Sequence, residues 1–180
     1  MSAGSNDTAL MVNRDLDRLA PQFSRAVKAA LAECNSGPNG GLRAMVYEGY
    51  RSPQLQALYY ARGRTVFPPA KPVTFAPSNL HSWHGFGLAV DVVHCDLFWS
   101  PPGGTAWFKK VAAIFEKNGC TWGGNWLQAD PPHFQWGRCP PSPSDAVRNL
   151  LQERDLYAVW QVLLADEELA MAQVPAAATA

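Results

Sequence analysis

Apolar residues recur along this chain at two periods, and the switches between them lay out its elements. Leu16, Leu19, Phe23, Val27 and Leu31 are spaced by threes and fours, the stripe of a helix buried on one face. Asn6 or Asp7 can cap it, and it is expected to run, broken at Pro21, to about Cys34. The run Asn-Ser-Gly-Pro-Asn-Gly-Gly over 35–41 stops it. Leu42–Tyr50 then reads as a strand that delivers Arg51 to its end, where Ser52-Pro53 supplies the N-cap and first turn of a second helix carrying Leu55, Leu58 and Tyr59 inward. In Leu88–Val92 the period becomes two, so Ala89 and Asp91 share one face of a strand. Thr105–Asn118 returns to helical spacing through Phe108, Val111, Ala112 and Phe115, with Gly119 as its stop. His133–Trp136 is a short strand with His133 and Gln135 on one face and two aromatics on the other. Beyond the proline-rich break at 137–144, Asp145–Ala172 predicts two helices meeting near Arg154-Asp155, the second striped by Leu156, Val159, Trp160, Leu163 and Leu164.

The pattern predicts an α+β domain, short strands with packed helices, followed by a helical tail. The expected divisions are 1–138, 139–174 and a disordered end over 175–180. Residues 62–80, interrupted by Pro68, Pro69, Pro72 and Pro77, are expected to be a long loop over a site, because loops of that length inside a domain tend to be functional.

Composition adds exclusions. In 180 residues, Lys+Arg and Asp+Glu number 15 each, for a net charge of zero, so no basic surface argues for nucleic acid. No apolar run is long enough to span a bilayer. The first eight residues lack the basic start and apolar run of a secretory signal, so synthesis in the cytoplasm is expected. The four cysteines show no Cys-x-x-Cys spacing, which speaks against a structural zinc knuckle. Buried thiols are expected, with disulfide pairing left open. The tail helix is expected to pack on the rest of the chain, with weak self-association or membrane contact as the alternative.

The chemistry gathers in two segments. In Ser82-Trp83-His84-Gly85-Phe86-Gly87-Leu88-Ala89-Val90-Asp91, the glycines let the His84 ring turn back towards Asp91. In Asp130-Pro131-Pro132-His133, consecutive prolines exclude a helix, and His133 can be a third metal ligand. Asp130 is then left beside the ion as a base for a metal-bound water. Arg51 can clamp a carboxylate or a developing oxyanion, or else pair with Glu48. His81 and His94 are the competing histidines; the first is the less favoured ligand, the second a structural residue. Trp122 and Trp126 are core plugs or a subsite wall.

Taken together, Ser82-x-His84-x-x-Gly87-x-Ala89-x-Asp91, Trp122-Gly-Gly-x-Trp126 and Asp130-x-Pro132-His133-Phe134-Gln135 resemble the zinc peptidases of bacterial cell walls. These are the D-alanyl-D-alanine carboxypeptidases and phage L-alanyl-D-glutamate endolysins, which share a fold with the Hedgehog signalling domain. The resemblance spans about Leu19 to Trp136 and implies a small mainly antiparallel sheet with packed helices. It also implies Zn2+ on His84, Asp91 and His133, Asp130 as general base, Arg51 assisting substrate and transition state, and peptidoglycan stem peptide as substrate. Ser82, Tyr50, Gln135 and Trp126 are the candidate substrate contacts. The Trp-Gly-Gly-x-Trp segment and an aspartate at the base position look more like the endolysins, which implies cleavage of L-Ala–D-Glu after holin-type release to the wall. A D-Ala–D-Ala carboxypeptidase, or a zinc module that binds the wall without cutting, is the alternative.

Overall fold

The computed structural model describes residues 10–66 and 71–172, with side chains through 164. Helix α1 (Pro21–Cys34) places its proline at N1, where the missing N–H costs nothing. Ala20, pushed by the proline into an extended conformation (φ −54°, ψ 135°), separates it from a 3-10 turn at Leu16–Arg18 that Asp15 caps. The first stripe is therefore two elements, broken where the proline stands. The proposed caps Asn6 and Asp7 lie outside the described residues, as do residues 175–180 and Pro68 and Pro69 of the long loop.

Strand β1 (Ala44–Glu48) leads through Arg51 to α2 (Pro53–Ala61), where the Ser52 side chain accepts from the Leu55 amide at 3.1 Å. A 3-10 turn at Trp83–Phe86 precedes β2 (Ala89–His94). Then come α3 (Thr105–Lys117), β3 (Cys120–Trp122) and β4 (His133–Trp136). The four strands form one antiparallel sheet in the order β1-β2-β4-β3.

One face of this sheet is apolar. Phe134 of β4 lies against Phe115 of α3 with ring centroids 4.5 Å apart, and Trp136 meets the edge of Phe23 of α1 at 6.2 Å. Phe23, Phe115 and Phe134 are fully buried, each contributing about 1.5–3 kcal/mol of burial free energy. The other face is polar and carries the site.

The compact unit that holds all of this ends at Pro143, and a second begins at Ser144. In the second, α4 (Asp145–Glu153) and α5 (Leu156–Ala172) pack together as a hairpin, with Ser144 and Asp155 capping their first turns. No helix among the described residues is long and apolar enough to cross a membrane.

Candidate metal centre and its cleft

Register, more than local conformation, assembles the polar face. Asp91 of β2 pairs directly with His133 of β4, and on its other side with Glu48 of β1, so the three stand in one row across the sheet. The Glu48 pairing depends on a β-bulge. Val46 faces Val92, and regular alternation would turn Glu48 to the apolar side; the extra residue Tyr47 brings Glu48 round to Asp91. Both Tyr47 and Glu48 consequently line the cleft.

His84 comes from outside the sheet, on the buried 3-10 turn. Gly87 ends that turn in a left-handed conformation (φ 63°), and Gly85 packs so closely that a Cβ there would sit 2.2 Å from the Asn79 carbonyl oxygen. Two bonds tie the turn to the end of β1: the Arg51 amide donates to the His84 carbonyl at 3.0 Å, and His84 Nδ1 donates to the Gly49 carbonyl at 2.8 Å. The second turns Nε2 to Asp91 and His133.

His84 Nε2, Asp91 Oδ1 and His133 Nδ1 form a triangle with sides of 3.3, 3.4 and 3.6 Å. An ion about 2.0–2.1 Å from each donor in tetrahedral coordination has donor–donor edges of about 3.3–3.4 Å. The residues present therefore fit a tetrahedral divalent metal with one position facing the cleft. His133 is held for this by Gln135: its Nε2 lies 3.3 Å from Gln135 Oε1, while Gln135 Nε2 donates to the carbonyls of Cys139 (3.0 Å) and Pro140 (2.9 Å). With the amide nitrogen so engaged, only the oxygen can meet the ring, so Nε2 donates to it and Nδ1 is the atom left to face an ion.

The charges around the triangle are balanced from behind. Arg51, almost fully buried, donates through Nε (3.0 Å) and Nη2 (2.6 Å) to Glu48 Oε2 and through Nη1 to Gln56 Oε1 (3.0 Å), and its Nη2 lies 3.4 Å from Asp91 Oδ2. Burial alone would raise the Asp91 carboxyl, but His84 and His133 beside it, with Arg51 behind, outweigh this and hold it well below the ordinary carboxylate range. Asp130 shifts the other way. Although the residue is exposed, its carboxyl is partly desolvated against the cleft wall, and this, and then the charge of Asp91, push it up, against the opposing pull of His133, His84 and Arg51. A ligand carboxylate kept ionised beside one that takes up a proton more readily is an acid–base division of labour.

These groups line a cleft of ≈ 1070 Å³ with Ser82, Trp126, Trp99 and Phe75 among its walls. Trp126 lines the cleft with its ring at 4.9 Å and 48° to His133, whereas Trp122 is buried. One expected substrate contact lies outside the cleft. Tyr50 is not among the cleft residues: Gly49 and Arg51 on either side of it both bond to His84, and its ring lies 5.0 Å from the Arg18 guanidinium. Gln135 lines the cleft but is buried, and its amide is committed to protein partners that let it orient His133. Glu48, Gln56 and Tyr47, not singled out as site residues, belong to the site; a glutamate inside an otherwise apolar strand was the available signal for the first.

The competing histidines stay out of the triangle. His81 is exposed and bonds Ser78 at 2.9 Å. His94, with Cys95 and Asp96, forms the other group among the described residues close enough to share an ion, but His94 Nδ1 already accepts from the amides of Asp96 and Leu97, and Asp96 pairs with Arg43. All four cysteines are free, and burial pushes the thiols of Cys34, Cys120 and Cys139 up to about 11, 12 and 12.

Three protein donors, an open fourth position and a nearby carboxylate define the form of a hydrolytic metal centre rather than a structural one. Residues 76–136 match the family model described as D-alanyl-D-alanine carboxypeptidase. The peptidoglycan L-alanyl-D-glutamate endopeptidase CwlK of Bacillus subtilis is 31% identical over 135 residues, covering 69% of this chain and 75% of that protein. Of solved structures, the L-Ala D-Glu endopeptidase ChiX of Serratia marcescens is 23% identical with a TM-score of 0.46, covering 74% of this chain and 95% of that one. The vancomycin resistance D,D-pentapeptidase VanY, solved as a mutant with Zn(II), is 16% identical with a TM-score of 0.44, covering 78% and 83%. The chain belongs to this family of peptidoglycan-acting zinc peptidases and is a metallopeptidase.

Proposed function

We propose that the protein is a zinc-dependent endopeptidase that cleaves the L-alanyl–D-glutamate amide of the peptidoglycan stem peptide. The observation that carries the reading is the triangle of His84, Asp91 and His133 opening on a cleft beside Asp130. The choice of bond rests on likeness to CwlK. In this reading the three donors hold Zn2+, which when bound polarises the scissile carbonyl and acidifies its water. Asp130 takes a proton from the attacking water and returns it to the leaving amine, a task that its raised pKa suits. Arg51, which lines the cleft, keeps Asp91 ionised and aligned and assists the substrate.

A second reading, release of terminal D-Ala, is favoured by the description of the family model matched over 76–136. Mass spectrometry of products from purified peptidoglycan, with zinc-loaded protein beside Asp130→Ala, separates the two. Peptides with a free D-Glu amino terminus, absent with the variant, are expected; D-Ala alone gives the carboxypeptidase, and no product with zinc still bound gives a binding module. Falling turbidity of the same sacculi is the outcome expected of a lysin of the phage type, and release without solubilisation that of a remodelling peptidase.

A further inference from the structure

One wall of the cleft is built from aromatic rings that the proposed chemistry leaves unused. Trp99 lines the cleft while remaining 49% exposed. Its ring is held at 4.7 Å and 63° to Tyr47, the residue that the β-bulge inserts. Tyr47 is fixed in turn by Phe98, edge-on at 6.3 Å, and by the Arg14 guanidinium 5.3 Å over its ring, with Arg14 Nε donating to the Tyr47 carbonyl.

The loop that presents Trp99 is stiff. His94 and Phe98 exchange two backbone hydrogen bonds, of 2.9 and 3.2 Å, across the turn, and Phe98 sits at φ 48°, in the left-handed region that a bulky side chain adopts only under constraint. Pro101 and Pro102 limit the backbone on the other side. A large ring half in solvent, locked in orientation beside a catalytic cleft, presents a preformed apolar face on which a ligand can stack. Phe75 and Leu127 are also exposed in the cleft, but neither has a ring contact among the described residues that would fix it.

We infer that Trp99, supported by Tyr47, is a sugar subsite that takes the pyranose ring of the amino sugar carrying the stem peptide. This rests on the endopeptidase reading. In peptidoglycan the alanine before the L-Ala–D-Glu bond is acylated by the lactyl group of that sugar, so a cleft that positions this bond has the ring within about two residue lengths, roughly 7 Å. A carboxypeptidase working at the far end of the peptide has none there. The aliphatic C–H face of a pyranose is apolar and slightly positive, and it matches the negative face of an indole. The stiffness of the loop lowers the ordering cost of that contact.

The test compares two substrates of the zinc-loaded protein: the stem tripeptide attached to its disaccharide, and the same tripeptide without sugar. Wild type is expected to favour the sugar-bearing substrate about three- to tenfold in kcat/KM, mainly through KM. Trp99→Ala should level the two by lowering only the sugar-bearing value, while Trp99→Tyr keeps most of the preference. Equal kcat/KM on both substrates in wild type, or an equal fall on both in Trp99→Ala, overturns the subsite while leaving the endopeptidase reading intact. If wild type cuts neither substrate at L-Ala–D-Glu, that reading fails and the subsite with it.

Discussion

The two faces of β4 are equally buried and could hardly be more different. Phe134 and Trp136 point into rings from α1 and α3, where shape and apolar area hold them. His133 and Gln135 point into a polar layer in which the metal-site side chains are held by named partners: Gly49 for His84, Gln135 for His133, Cys139 and Pro140 for Gln135, Arg51 for Asp91. Burial on the first face stabilises the chain, whereas burial on the second fixes protonation and direction at the expense of stability, since each polar group has lost water. The lesson is that the relative exposure of a strand residue says little about its purpose until its neighbours are known.

Adjacent substitutions break this comparison most sharply. His133→Ala is expected to abolish turnover and metal uptake while the unfolding midpoint stays close to that of metal-free wild type. Phe134→Ala, one residue along, is expected to cost about 3–5 kcal/mol of stability through the cavity it leaves. Metal analysis with urea denaturation reads both, and a large stability loss in His133→Ala would mean that the polar face is structural.

Gln135→Leu keeps the volume but removes the acceptor that orients His133. It is expected to weaken zinc binding about 10–100-fold, as second-layer partners of metal ligands do, with chelator competition as the measurement. Unchanged affinity would return Gln135 to the substrate role expected from sequence.

The smallest effect concerns pH. The folded-state pKa of Asp130 is raised above the ordinary 3.8, so its contribution to stability is fully present below that value and lost as pH rises through the shifted one. Asp130→Asn, with no proton to lose, should therefore unfold at higher urea than wild type at neutral pH in metal-free protein, with the gap closing in acid. Asp91, with its pKa depressed, has the opposite sign: its contribution is present above the unfolded value and lost as pH falls through the folded one. A gap for Asp130→Asn that widens in acid would contradict the assigned shift.

The motif segments were legible because their constraints are local. Period-two alternation put Asp91 on a definite face, paired prolines forced His133 onto an extended segment, and the glycines marked where His84 could turn back. The strands and the stripe of α3 followed from the same periodicities, while the antiparallel sheet was implied by the family resemblance. What escaped depended on register. Whether Glu48 faces core or cleft is decided by one bulged residue, and the side of the chain on which Tyr50 lies is decided by bonds that Gly49 and Arg51 make to a turn 33 residues and more away. The role of Gln135 was hidden because its partners come from the irregular run that follows the last strand.

That run bears on where the chain can be cut. Cys139 and Pro140 follow the sheet and resemble the start of a linker, yet the Pro140 carbonyl also accepts from Trp83 Nε1 at 2.7 Å, so both histidine-bearing segments are moored to it. A truncation at residue 138, where the sequence suggested a boundary, keeps every strand, every ligand and the base but strips the mooring. The mooring of the site thus extends past the last strand into a few residues of coil, so the edge of the site is set by its polar contacts rather than by the end of the sheet.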